Sequence, residues 1–226
     1  MLYSTMIINI KAQSGAGKST AVKHYLDTLT LTRTLPGTPC MAQEFGNVVV
    51  LGDYRRYPHI SGCDAYRSNQ QLIDVVEQYH KRHYHVLFES MMFSRTTAPN
   101  LHWHKRGYPQ QVIELTTSTQ QAAANRRLRQ QQLGSTKELT TATGITSKRD
   151  IETLCSKLTQ QGLQVIQLPS VAQAVAHIQH TFGETSVDQF TSEERHLMWQ
   201  NFTTATSEIT KRKAQKNWQQ LERFLE

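Results

Sequence analysis

The feature that most limits what this chain can fold into is a strand, a turn and a helix close to its start. The apolar run Met6-Ile7-Ile8-Asn9-Ile10-Lys11 passes into Ala12-Gln13-Ser14-Gly15-Ala16-Gly17-Lys18-Ser19-Thr20, and an amphipathic helix is expected from Lys18 to about Leu29. A turn built of such small residues wraps an anion with its backbone N–H groups, and the helix that follows aims its positive pole at the same point. This is the phosphate-binding loop pattern, with Ala12 where the first Gly usually stands. Residues Ala12, Gln13, Ser14, Gly15, Ala16, Gly17, Lys18, Ser19 and Thr20 are therefore expected to bind ATP. Lys18 supplies a point charge to the β- and γ-phosphates, and the Ser19 hydroxyl is placed to ligate Mg²⁺.

Further along, strands alternate with helices. Residues 30–45 hold Pro36, Gly37 and Pro39 and read as a loop. Asn47-Val48-Val49-Val50-Leu51-Gly52 is a continuous apolar run, as a parallel strand buried on both faces requires, and it ends at Asp53. A helix is expected over residues 69–82, a third strand over His83 to Phe88 running into Glu89, and a fourth over Gln111 to Leu115. Residues 116–132 follow as a helix bearing Arg126, Arg127 and Arg129. Residues 134–146 read as a mobile loop, and Ser147-Lys148-Arg149-Asp150 as a helix start. A fifth strand spans Leu163 to Leu168, and a short helix ends near Thr181.

That alternation predicts an α/β fold: a three-layer sandwich with a five-stranded parallel sheet in the order 2-3-1-4-5, over residues 1–184. A lid is expected at about residues 126–146, and a helical extension over 185–226, which carries Lys211-Arg212-Lys213.

Composition narrows the setting. No apolar run is long enough to span a bilayer and no charged leader opens the chain, so a soluble, cytoplasmic protein is expected, in a host's cytoplasm if phage-encoded. Cys40, Cys63 and Cys155 are too scattered for a metal or redox pair and read as free thiols. Lys plus Arg number 25 against 18 Asp plus Glu, a formal charge of +7, and mean hydropathy is −0.54. An excess of positive charge over the whole chain suits a polyanionic partner.

Phosphoryl transfer needs a base or orienter for the acceptor hydroxyl, a hold on Mg²⁺ and cations that follow the moving charge. Asp53 and Glu89, each at the carboxyl end of a strand beside strand one, are the candidates for the first two tasks, with Glu89 joining Ser19 at the metal. Which of the two acids is base and which holds Mg²⁺ stays open. Arg126, Arg127 and Arg129 are the candidate lid cations. In His102-Trp103-His104-Lys105-Arg106 a metal role is weak, because no third ligand stands nearby, and Trp103 is better suited to stack on a base.

The order of phosphate loop, acidic strand end, carboxylate after strand three and Arg-bearing helix resembles the thymidylate kinase branch of P-loop nucleoside and nucleotide kinases. The Asp-Arg pair of that branch is missing: here Phe88-Glu89-Ser90 stands, with Arg95 the nearest cation. Leu51-Gly52-Asp53-Tyr54, Gly62-Cys63-Asp64 and Val86-Leu87-Phe88-Glu89 are similar to bacteriophage 5-hydroxymethyl-deoxyuridine DNA kinases. That resemblance implies transfer of the ATP γ-phosphate to the hydroxymethyl group of a modified pyrimidine in DNA, with DNA lying from Lys105-Arg106 to the basic tail. Two other readings stand beside it: a small-molecule nucleoside or nucleotide kinase, and a P-loop NTP-binding regulator or DNA-binding ATPase. A homodimer is compatible with each.

Overall fold

The computed structural model of the chain describes residues 5–31, 33–35, 42–54, 62–132, 134 and 141–183. The centre is β1 (Ile7–Lys11), every residue of which is buried. It pairs in parallel with β5 (His85–Glu89) on one side and β6 (Gln110–Leu115) on the other. Outside β5 lies β4 (Val48–Leu51), and outside β6 lies β7 (Val165–Leu168), both parallel to their neighbours. The five expected strands thus stand side by side as β4-β5-β1-β6-β7.

The sheet nevertheless differs from expectation in strand count and overall order. Two further strands, β2 (Arg33–Leu35) and β3 (Ala42–Phe45), add antiparallel to the β4 edge and make a mixed, seven-stranded sheet β2-β3-β4-β5-β1-β6-β7. Both were expected to be loop. Pro36, Gly37 and Pro39 dominate the local reading there, yet Ala42 and Phe45 are buried once β3 lies against β4. The edge pairing is a tertiary gain that local propensity does not report.

Alternation along β1 sends its side chains to opposite faces. Ile8 and Ile10 join Ala21, Val22 and Tyr25 of α1 (Lys18–Leu26) and Ala174, Ile178 and Phe182 of α7 (Val171–Phe182) in one core. On the other face, Asn9 donates to Asn100 of α4 (Ala98–Lys105) at 3.0 Å, and Asn100 donates to Gln110 at 3.2 Å. Beside that polar ladder, α6 (Thr141–Gln160) buries Ile151, Cys155 and Leu158 on Val112 and Leu163. Those residues share one helical face, and α6 begins at Thr141, earlier than the expected Ser147, which is itself buried. The remaining helices are α2 (Asn69–His80), the single turn α3 (Met91–Ser94) and α5 (Thr119–Gln132). Cys63 and Cys155 are free thiols, as expected. Among the described residues no helix is long and apolar enough to cross a membrane. Cys40 and the expected C-terminal extension, with Lys211-Arg212-Lys213, lie outside the described residues.

Candidate nucleotide site

The turn from β1 to α1 has the shape its residues predict. Gly15 and Gly17 take positive φ, and Gly17 is the N-cap of α1. The first turn of α1 carries no acidic side chain, so nothing on the helix itself neutralises its positive end. Three hydrogen bonds fasten the turn to the segment after β6. Gln13 donates to the Thr117 carbonyl at 2.8 Å, Thr117 donates to the Ala16 carbonyl at 3.0 Å, and Asn125 of α5 donates to the Gly15 carbonyl at 2.9 Å. The approach is close: a Cβ on Gly15 would lie 2.2 Å from the Ala122 carbonyl oxygen and 2.7 Å from Cγ of Arg126.

Lys18 is buried, and its Nζ donates to the Ala12 and Gln13 carbonyls at 3.0 and 3.4 Å. Burial is the main influence on it and lowers its pKa; Glu89 and Asp64 pull the pKa back up, and Arg129 and Arg95 push it down. Those four side chains mark out the charged surroundings of the loop. Glu89, the last residue of β5, accepts a 2.8 Å hydrogen bond from the Ser19 hydroxyl and a 3.2 Å bond from the Tyr54 phenol on the same oxygen, Oε1. It is only 3% exposed, and that burial raises its pKa against the opposing pull of Lys18. The backbone at Gly62 closes over it, since a Cβ there would sit 2.6 Å from Glu89 Oε1.

The two expected acids stand at the carboxyl ends of neighbouring parallel strands. Glu89 is brought to Ser19 and Lys18. Asp53 is buried at the end of β4, one strand further out. The second carboxylate acting on Lys18 is Asp64, which the chemical reading of the sequence passed over. Asp64 accepts from the Ser90 hydroxyl and from the Met91 and Met92 amides, at 2.8 and 3.2 Å for the amides. Its only sequence signal is Gly62-Cys63-Asp64, where the Gly permits the close turn over Glu89.

The three arginines lie on α5, the helix expected to bear them, but differ in their surroundings. Arg126 packs its stem on the phosphate loop, and its Nε and one terminal nitrogen are buried with no hydrogen-bond partner among the described residues. Arg127 and Arg129 are exposed, with Arg129 still felt at Lys18. Residues 135–140 of the expected lid lie outside the described residues, and α6 begins at Thr141.

A base-stacking Trp103 is ruled out by its surroundings. It is fully buried on α4, edge-on to Phe88 with ring centroids 5.8 Å apart. Its neighbours also face elsewhere: α4 carries the chain from the carboxyl end of β5 back to the start of β6, so Lys105 and Arg106 sit at the sheet's amino-terminal edge, opposite the phosphate loop. Arg106 and His102 meet there on one carboxylate oxygen of Glu77, at 3.1 and 2.9 Å. Among the described residues no three His, Cys, Asp or Glu side chains gather as a metal site. Any Mg²⁺ here depends on one or two protein groups together with phosphate oxygens, which is the usual manner for that ion.

No protein-family model and no curated protein matches the sequence. Among solved structures, the chain is similar to deoxyadenosine kinase from M. mycoides with bound dCTP, at 12% identity and TM-score 0.42, over 78% of this chain and 98% of that one. The same kinase with bound dATP matches at 13% identity and TM-score 0.38, over 78% and 99%. The PezAT chromosomal toxin-antitoxin system of Streptococcus pneumoniae matches at 16% identity and TM-score 0.39, over 91% and 87%.

Proposed function

We propose that the protein is an ATP-dependent phosphotransferase acting on a hydroxyl of a free nucleoside or nucleotide. The observation that carries this reading is the 2.8 Å contact between Ser19 and Glu89 beside the buried Lys18. It sets a hydroxyl and a carboxylate, the protein ligands a Mg²⁺–phosphate complex asks for, next to a charge suited to β- and γ-phosphates. Ser19 and Glu89 would hold the ion, and when bound it would neutralise charge developing on the phosphate oxygens. Ala12 to Thr20 bind the phosphates through main-chain amides. Two buried nitrogens of half-buried Arg126, without an acceptor among the described residues, give a reason to expect an anion there, since buried N–H groups without acceptors are costly. Asp53 or Asp64 then orients the acceptor hydroxyl, with Arg127 and Arg129 as outer cations. The nucleoside character of the acceptor rests on the motif order shared with thymidylate kinase-like enzymes.

A second reading keeps the same chemistry with the hydroxymethyl group of 5-hydroxymethyluracil in DNA as acceptor. The +7 formal charge favours it. The position of Lys105 and Arg106 opposite the phosphate loop takes away half of the DNA path that reading needs. One assay separates the readings: γ-labelled ATP and Mg²⁺ with thymidine-type nucleosides and nucleotides, hydroxymethyluracil DNA and ordinary DNA. Label in the free nucleosides or nucleotides is expected. Label in modified DNA alone would replace the first reading with the second, and label only in inorganic phosphate would overturn both in favour of an ATPase or NTP-binding regulator.

A further inference from the structure

Lys11 is the last residue of β1, where the phosphate loop begins, and its side chain is completely buried on the face away from Ile8 and Ile10. A lysine in the middle of a sheet is rare unless its ammonium is matched. Here Nζ donates to the carbonyls of Phe93 at 2.7 Å and Thr96 at 2.8 Å. Those carbonyls bracket Arg95, the C-cap of α3, whose charge reaches Lys18. A four-residue helix cannot satisfy its own last carbonyls, and a cation is the favourable group at that pole. The ammonium therefore does for α3 what α3 is too short to do for itself. Burial lowers the Lys11 pKa to about 8, with Cys155 and Cys63 pulling it back up, so the side chain is mostly charged at neutral pH.

We propose that Lys11 is a positioning residue: it ties residues 90–97 to the strand that launches the phosphate loop and thereby holds Arg95 toward the transferred phosphoryl group. The proposal rests on the phosphotransferase reading, and the geometry separates it from a plain core role. A space-filling lysine needs only its volume; a clamp needs two donors.

The test is a double-mutant cycle on the full chain with Lys11→Met, which keeps the length of the side chain and removes the donors, and Arg95→Ala. Lys11→Met should keep ATP affinity by calorimetry within about threefold and lower kcat at least tenfold. The double variant should be no slower than Arg95→Ala, because both changes act through one guanidinium. Additive losses, an Arg95→Ala enzyme as fast as wild type, or loss of ATP binding in Lys11→Met would each overturn the proposal. Amide hydrogen exchange judges the clamp without any activity: exchange at residues 91–97 should quicken at least tenfold while β1 and α1 stay protected. Unchanged exchange there overturns it, whether or not wild type transfers phosphate; a wild type that transfers none overturns the phosphotransferase reading instead. If Lys11→Met does not fold, Lys11→Gln, whose arm is shorter and uncharged, must show the same local quickening.

Discussion

Replacing Gly15 with Ala is the sharpest test of how the nucleotide site is built. The residue has φ +81°, so an L side chain there costs about 1–2 kcal/mol from backbone alone. The larger effect is steric. The new Cβ would stand 2.2 Å from the Ala122 carbonyl oxygen, and the gap must open by about 1.2 Å to reach ordinary van der Waals contact at 3.4 Å. That oxygen belongs to the α5 backbone and no side-chain rotation relieves it. Either the phosphate loop or α5 must move, and Arg126 and the Asn125 bond to Gly15 move with it. A misplacement of about 1 Å in a catalytic constellation costs on the order of 10²-fold in rate. Gly15→Ala is thus expected to lose roughly 10²-fold in kcat/KM for ATP. Melting should fall by about 2–8 °C from the backbone cost alone, at roughly 2–4 °C per kcal/mol for a chain of this size, and further by whatever part of the clash movement does not relieve. Gly46→Ala is the control, since it also has positive φ (+57°) but would meet nothing within 4 Å. It should lose stability and keep activity. Paired measurement of melting temperature and steady-state kinetics decides the matter: a Gly15→Ala enzyme within threefold of wild type would show that α5 is not seated on the loop.

Other expectations follow from the same geometry. Glu89→Gln should weaken Mg²⁺-dependent ATP binding at least tenfold and leave Mg²⁺-free binding nearly unchanged, and Ser19→Ala should be partly rescued by high Mg²⁺ in the same titration. Trp103→Ala should cost about 3–5 kcal/mol in denaturant unfolding, as removal of a fully buried indole does, and should not change salt-dependent DNA retention. His85, whose Nδ1 accepts from the Met6 amide, is buried and its pKa falls to about 4 from 6.5. Between those values the unfolded chain takes up a proton that the folded one refuses, so stability drops by up to about 3 kcal/mol as pH falls from 6.5 to 4. In His85→Gln, urea unfolding at a series of pH values should show that slope removed.

The legible parts of this protein are those whose determinants are contiguous. Ile7 to Thr20 carries its strand, turn and helix start in one stretch, and Val48 to Leu51 shows a doubly buried strand through its unbroken apolar run. Glu89 was legible because it ends such a run. Long-range pairing hid the rest. The β2–β3 edge depends on β4 being there to pair with, while the prolines between the two strands speak for loop. Trp103 is flanked by His102, His104 and Lys105, so its surroundings read as polar; only the helix shows that it alone of the four points inward to Phe88. Asp64 acts through a turn held by main-chain contacts to Glu89, and no periodicity reports such a turn.

The central position of β1 also sets an order of events during synthesis. Its partners β5 and β6 lie far downstream, and the bonds that fasten the phosphate loop, Gln13 to Thr117 and Asn125 to Gly15, join residues 104 and 110 positions apart. Chain growth runs at about 5–20 residues per second, so the loop leaves the ribosome roughly 5–20 s before the groups that brace it. Until α5 arrives, β1 is an apolar strand with both edges unpaired, the kind of segment that aggregates and that chaperones hold. On the phosphotransferase reading, nucleotide capture is therefore a late event in the life of the nascent chain, and ATP would act on the finished fold as a stabilising ligand instead of as a template for it.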